Sequence, residues 1–166
     1  MLINKQKSPS NYQNGDIVLS YEKAFTSWVI RKMTSSQWSH AGIIFDSSSF
    51  VSAVPMQGVC SRPLAIVENR AIYRVKNLLP EQIAQLRAFC FSKIGAKYDM
   101  TQVFVLGWRI ITNTVNKYGD DAKPNKFECL EFVGEAFDSI GIRFGKYVDN
   151  LLPNMITKSN LVALVE

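Results

Sequence analysis

Histidine occurs once in the 166 residues and cysteine three times. Cys60, Cys90 and Cys129 are widely separated, and no CxxC pair is present. Zinc sites are built from clustered Cys and His, so a metal here would have to be gathered from scattered carboxylates; neither metal nor other cofactor is expected. An odd number of cysteines without paired spacing also argues against a disulfide framework and for free thiols in a reducing compartment. Long apolar runs are missing too. The most hydrophobic stretch, Val103 to Trp108 followed by Ile110 and Ile111, is interrupted by Arg109 and falls short of the roughly 20 residues a membrane span requires. It reads as a buried or groove-lining helix, and no transmembrane segment is expected. Met1 to Asn14 is polar, with Lys5, Lys7 and Pro9 and no apolar h-region, so a flexible leader is expected there rather than a secretory signal, and the cytoplasm as location.

The net charge is +5. Basic residues are spread along the chain, and the densest patch, Lys117 to Lys126, is diluted by Asp120 and Asp121. Nucleic-acid binding calls for clustered Lys and Arg with interleaved aromatics, and none is expected. A solvated basic face accounts for most of this charge, with attraction to an anionic cell-wall polymer or phospholipid surface as the functional alternative.

At 47% hydrophobic the chain can bury a substantial core, and residues 15–166 read as a single domain. Periodicity gives an α+β order. A strand over Asp16 to Ser20 leads to an amphipathic helix over Glu22 to Met33. Strands follow at Ala41 to Phe45, Phe50 to Val54, Val59 to Leu64 and Ala71 to Val75. Pro80, at a favoured first-turn position, opens a helix running to Gly95, and helices over Met100 to Val115 and Glu128 to Ile140 follow. Asp99 has the position of an N-cap. The loop Asn116 to Lys126 is expected to form a rim before the last helix.

Two places carry chemistry. Cys129 opens the segment in which Leu130, Val133, Ala136, Phe137 and Ile140 recur at helical spacing, ending at Gly141. A thiol is a useful nucleophile only as thiolate, and the unpaired N–H groups and dipole of a helix start favour the anion. His40 opens the apolar run Ala41 to Phe45, so an imidazole stands at the mouth of a strand, where it can face a helix start. Separately, each residue has a plainer reading: a single His is more often structural, and a Cys among Phe127, Leu130 and Phe132 is more often a small buried hydrophobe.

Several pieces, taken in order, resemble the circularly permuted branch of the NlpC/P60 papain-like superfamily, the YiiX/YebB-like cysteine hydrolases. They are Gly15-Asp16-Ile17-Val18-Leu19, Ser39-His40-Ala41-Gly42-Ile43, Phe50 to Val54 with Gly58-Val59, Gly95-Ala96-Lys97-Tyr98-Asp99, and Cys129-Leu130-Glu131-Phe132-Val133. The resemblance implies a papain-like α+β fold, an antiparallel sheet or half-barrel packed against helices, in a protein of bacterial or phage origin. It implies Cys129 as nucleophile and His40 as its base. The third polar residue falls on Ser52, where the family usually has Glu, His or another strong acceptor. A neutral hydroxyl holds imidazolium less well than a carboxylate, because charge-assisted hydrogen bonds are about twice as strong; Asp46, Glu131 or a backbone carbonyl are alternative orienters. Leu130, where the family commonly has Ser, is expected to be packing.

The implied chemistry is acyl transfer through a thioester. Tyr98 is the candidate second oxyanion donor beside the Cys129 backbone N–H, and Glu131 a candidate contact to oxyanion or substrate. The substrate expected is a peptide or amino-acyl amide, cell-wall peptides included. Two alternatives stand beside it: a lipid-directed thiol acyltransferase, phospholipase or thioesterase, favoured by an apolar groove of Trp108, Phe104 and Phe144, and a catalytically inactive binding module, kept open by Ser52. Oligomeric state has no signature in the sequence.

Overall fold

Runs of β-branched and aromatic residues bounded by Gly, Pro, Asn and Ser build a six-stranded antiparallel sheet in this computed structural model, which describes residues 11–21, 31, 36–115, 117 and 125–165. The strands are β1 (Ile17–Ser20), β2 (His40–Ile44), β3 (Ser49–Val54), β4 (Gly58–Pro63), β5 (Arg70–Val75) and β8 (Val162–Leu164). They lie in the order β4-β3-β2-β1-β5-β8, and every pairing is antiparallel. Alternation along the strands separates two clusters. Ile17, Leu19, Ala41, Ile43, Val51 and Ala53 point into the main core, whereas Val18, Ile44, Phe50 and Ile72 meet Leu64 and Val67 in a smaller one. The β2–β3 turn is set by Asp46, whose Oδ1 accepts from the backbone N–H groups of Ser48 and Ser49 at 2.7 and 2.6 Å; these bonds and the two Ser hydroxyls hold its carboxyl down at about 2.

The helices are α1 (Pro80–Ser92), α2 (Met100–Ile111), α3 (Cys129–Asp138) and α4 (Pro153–Thr157). Helix α3 lies within the main core: Leu130, Phe132, Val133, Ala136 and Phe137 are all buried, and Gly134 lets the 3-10 turn Val148–Asn150 approach so closely that a Cβ would sit 2.9 Å from the Val148 carbonyl. Two short strands, β6 (Lys97–Tyr98) and β7 (Lys126–Phe127), pair in parallel, Tyr98 opposite Phe127. They deliver the chain to the start of α3. The segment before β6 is tied to β4 by Val59 N–H donating to Ala96 O and Gly95 N–H donating to Val59 O, both 2.8 Å.

The mixed α/β architecture, an antiparallel sheet packed against helices, is the class the sequence predicts. The strands over 16–20, 41–45, 50–54, 59–64 and 71–75 are all present, each within a residue of its expected limits. Helices α1, α2 and α3 end earlier than expected, α3 because Ser139 closes it. The helix expected over 22–33 and most of the loop over 116–126 lie outside the described residues. Within the expected leader, Asn11 and Tyr12 are held against the sheet: Asn11 O accepts from Arg74 Nη2 at 2.6 Å and the Tyr12 hydroxyl accepts from Arg70 Nη2 at 3.0 Å.

Of the expected readings of helix α2, buried or groove-lining, the exposure of Phe104, Trp108 and Ile111 overturns the buried one. The inner face of α2 carries Gln102 and Arg109 beside Leu106 and Gly107. Gln102 Nε2 donates to Asp149 O at 2.9 Å, and Arg109 Nη1 donates to Asn150 Oδ1 at 2.6 Å and to Asp149 Oδ2 at 3.2 Å. Those buried polar groups need partners, and only the inner face supplies them, so Phe104, Trp108 and Ile111 are turned outward and exposed. Phe144 does not join them, packing edge-on against Phe137 at 5.3 Å between ring centroids.

Candidate active site

Cys129 is the first residue of α3, and Glu128 is its N-cap, in extended backbone conformation. The cap is reciprocal: Glu128 Oε1 accepts from Glu131 N–H at 2.5 Å, and Glu131 Oε2 accepts from Glu128 N–H at 3.0 Å. A capping box ordinarily begins with Ser or Thr. Here both members are carboxyls, and both are buried. Burial pushes Glu131 up to about 8, reinforced by the nearby charges of Glu128, Glu135 and Asp99. Burial likewise raises Glu128, against the opposing hydrogen bonds from the backbone of Glu131, Leu130 and Cys129 and from the Cys129 thiol.

The Cys129 thiol is placed by the same turn. Its Sγ lies 3.5 Å from Glu128 Oε2 and 3.9 Å from the carbonyl oxygen of Ser39. Ser39 immediately precedes β2, so the thiol meets that strand one residue before His40. The other two thiols sit in different surroundings. Burial raises Cys60, the nearby Arg62 offsetting part of the effect, and burial raises Cys90 far above the ordinary thiol range.

His40, buried, is the first residue of β2, opposite Ser20 of β1. Its ring stands edge-on to Phe50 at 6.5 Å, and its Nε2 is 3.4 Å from Arg62 Nη1. Arg62 faces Phe50 across the β3–β4 ladder, with its guanidinium carbon 5.7 Å from the Phe50 ring centroid. A guanidinium only donates, so Nε2 is the accepting nitrogen in this contact. Ser52 is wholly buried on β3 opposite Cys60, and its hydroxyl has no hydrogen-bond partner among the described residues. Arg62 thus meets Nε2, and Ser52 makes no hydrogen bond to it.

Tyr98, half-buried on β6, lies opposite Phe127, two residues before Cys129. Asp99 caps α2 as expected, accepting from Thr101 N–H at 2.8 Å and Gln102 N–H at 3.2 Å. Asp46 commits its carboxyl oxygens to Ser48 and Ser49 in the β2–β3 turn. The structure thus gathers Cys129, Glu128, Glu131 and the His40 end of β2 around one helix start, with Tyr98 delivered alongside by β6 and β7. Sequence reasoning missed two of the groups in contact here, Glu128 and Arg62. Glu128 had a signal, an acidic residue three before another acid at a helix start. Arg62 had none, because only the strand register brings it to His40.

No protein-family profile matches the chain, and no curated protein matches it. Among solved structures it is similar to one described as the metalloprotein yiiX of Escherichia coli O157:H7, with a TM-score of 0.66 and 19% identity, over 93% of this chain and 96% of that one. At that identity the likeness is one of fold: the chain has a YiiX-like fold. The word metalloprotein is said of that structure. Among the described residues of this chain, no three His, Cys, Asp or Glu side chains are grouped so as to hold a metal, and Glu128 and Glu131 each give an oxygen to the other's backbone N–H. The residues around Cys129 do not fit a metal centre.

Proposed function

We propose that this protein is a cysteine hydrolase of the permuted NlpC/P60, papain-like kind, with Cys129 as nucleophile and His40 as its proton partner. One observation carries the reading. The only cysteine at a helix N-terminus has its Sγ 3.9 Å from the carbonyl of the residue that precedes the only histidine. In the proposed reaction Sγ attacks the carbonyl carbon of an amide, and the thiol proton passes to the imidazole and then to the departing amine as the C–N bond breaks. Water then cleaves the thioester, returning the proton to sulfur. The backbone N–H of Cys129 and the Tyr98 phenol are the proposed oxyanion donors. Peptide or amino-acyl amides, cell-wall peptides among them, are the proposed substrates, and the cytoplasm the proposed location.

A lipid-directed acyltransferase, phospholipase or thioesterase is the second reading, favoured by the exposed aromatics of α2, the helix that follows Tyr98. A silent binding module is the third, favoured by the Arg62 guanidinium beside His40 Nε2. The test is the pH dependence of iodoacetamide alkylation at each cysteine, mapped by mass spectrometry in the wild type and in His40→Ala. Selective reaction of Cys129 below the ~8.5 of an ordinary thiol, lost in His40→Ala, is the result expected. A Cys129 no more reactive than Cys60 and Cys90 would sink the hydrolase reading and leave the binding module.

A further inference from the structure

Helix α2 is inside out. Its only charged residue, Arg109, is buried against Asp149 and Asn150, and its buried Gln102 bonds to Asp149. The outward side carries Met100, Phe104, Trp108 and Ile111, at intervals of four, four and three residues, which is one helical stripe. Phe104, Trp108 and Ile111 are 73%, 68% and 70% exposed. The remaining exposed positions over 100–112 are Thr101 and Thr112, so a helix about 18 Å long offers solvent no charge at all. Isolated surface hydrophobes are ordinary, but a contiguous patch with two large aromatics marks a contact with something apolar.

The surroundings of the patch select the partner. Lys97 and Lys126, both exposed, lie side by side where β6 and β7 pair, directly before the N-terminus of α2. An uncharged Phe/Trp stripe with cations at its end is the pattern of a helix lying in the lipid interface, with aromatics at the acyl boundary and ammonium groups among anionic headgroups. The +5 net charge favours an anionic surface and opposes close approach of a second copy. At 12 residues the helix is too short to span, and among the described residues no helix is long and apolar enough to do so. We propose that α2 docks this protein flat onto an anionic phospholipid membrane, with Phe104, Trp108 and Ile111 inserted and Lys97 and Lys126 at the headgroups. The catalytic reading is not needed for this.

The experiment is co-sedimentation of the full chain with vesicles of phosphatidylcholine alone and of phosphatidylcholine with about 30% phosphatidylglycerol, alongside sedimentation equilibrium without lipid. Binding to the anionic vesicles about tenfold or more above the neutral ones is expected, falling as salt rises. The Phe104→Ser/Trp108→Ser pair should lose about tenfold in binding while keeping the wild-type far-UV spectrum, since neither side chain is in the core. Lys97→Gln/Lys126→Gln should lose binding to the anionic vesicles alone. No binding to anionic vesicles, or binding unchanged in Phe104→Ser/Trp108→Ser, overturns the proposal. So does a dimer at micromolar concentration that the same pair of substitutions disperses, because the stripe is then a contact between copies.

Discussion

Glu128 Oε2 lies 3.5 Å from Cys129 Sγ, between neighbouring residues in the first turn of a buried helix. Carboxylate and thiolate at that separation repel, and the raised Glu128 shows that this environment already resists a negative charge there. A negative charge on either group therefore disfavours one on the other. Glu128→Gln keeps an oxygen to accept from Glu131 N–H while removing the competing charge. Cys129 should then be alkylated faster at neutral pH, by roughly several-fold. An unchanged rate against pH would show that the thiol proton is not shared with this carboxyl.

Glu131 gives a prediction about stability. Its folded-state value of about 8 stands above the ordinary 4.5 because burial penalises the charged form. The folded protein thus holds this proton more tightly than the unfolded chain does. Its contribution is fully present below about 4.5 and is lost as pH rises through about 8, at a cost of the order of a few kcal/mol. Denaturation midpoints at pH 5 and pH 8 should fall with rising pH in the wild type. They should converge in Glu131→Gln, which retains an acceptor for Glu128 N–H, leaving the smaller slope due to Glu128 and Glu135, both also raised by burial.

Periodicity made the sheet legible: Ile17 and Leu19 alternate with Val18, and Val51 and Ala53 with Phe50 and Ser52, so five of the six strands of the sheet can be read directly. Val162–Leu164 and the two-residue strands β6 and β7 are too short to carry a period, yet β6 and β7 set Tyr98 opposite Phe127, two residues before Cys129. Helix α2 was legible as a helix but not in its orientation. Its apolar content pointed inward, while the hydrogen bonds that Gln102 and Arg109 make to Asp149 and Asn150, some forty residues away, turn it the other way. The site was legible where a residue occupies a defined place in an element, as Cys129, His40 and Asp99 do. It was not legible where a contact depends on register between strands, as for Arg62 against His40.

That contact sets the next expectation. Arg62 Nη1 stands 3.4 Å from His40 Nε2, and a cation beside an imidazole disfavours adding a second charge. Arg62→Gln should let the ring accept a proton more readily. The chain has a single histidine, so one Cε1–H resonance followed by NMR against pH reads the change without assignment. If Arg62 is what restrains His40 as a base, the alkylation profile of Cys129 should move in the same variant. A titration identical to wild type would mean that the guanidinium and the ring do not interact in solution.

Gly58 closes the path from the sheet to the site. It opens β4 with φ at +75°, and a Cβ there would lie 2.1 Å from the carbonyl oxygen of Ala96. That carbonyl accepts from Val59 N–H and belongs to the segment leading into β6, which in turn pairs with β7 just before Cys129. Gly58→Ala therefore combines a left-handed backbone with a steric clash against main chain, where no side chain can swing aside. It should cost about 2 kcal/mol or more, seen as a lower denaturation midpoint. The displacement should be passed along β6, so hydrogen exchange at Tyr98 and Phe127 should accelerate more than exchange at Ile17 or Ile72 in the middle of the sheet. Uniform acceleration everywhere would show that the 95–97 segment has no special part in holding the helix start.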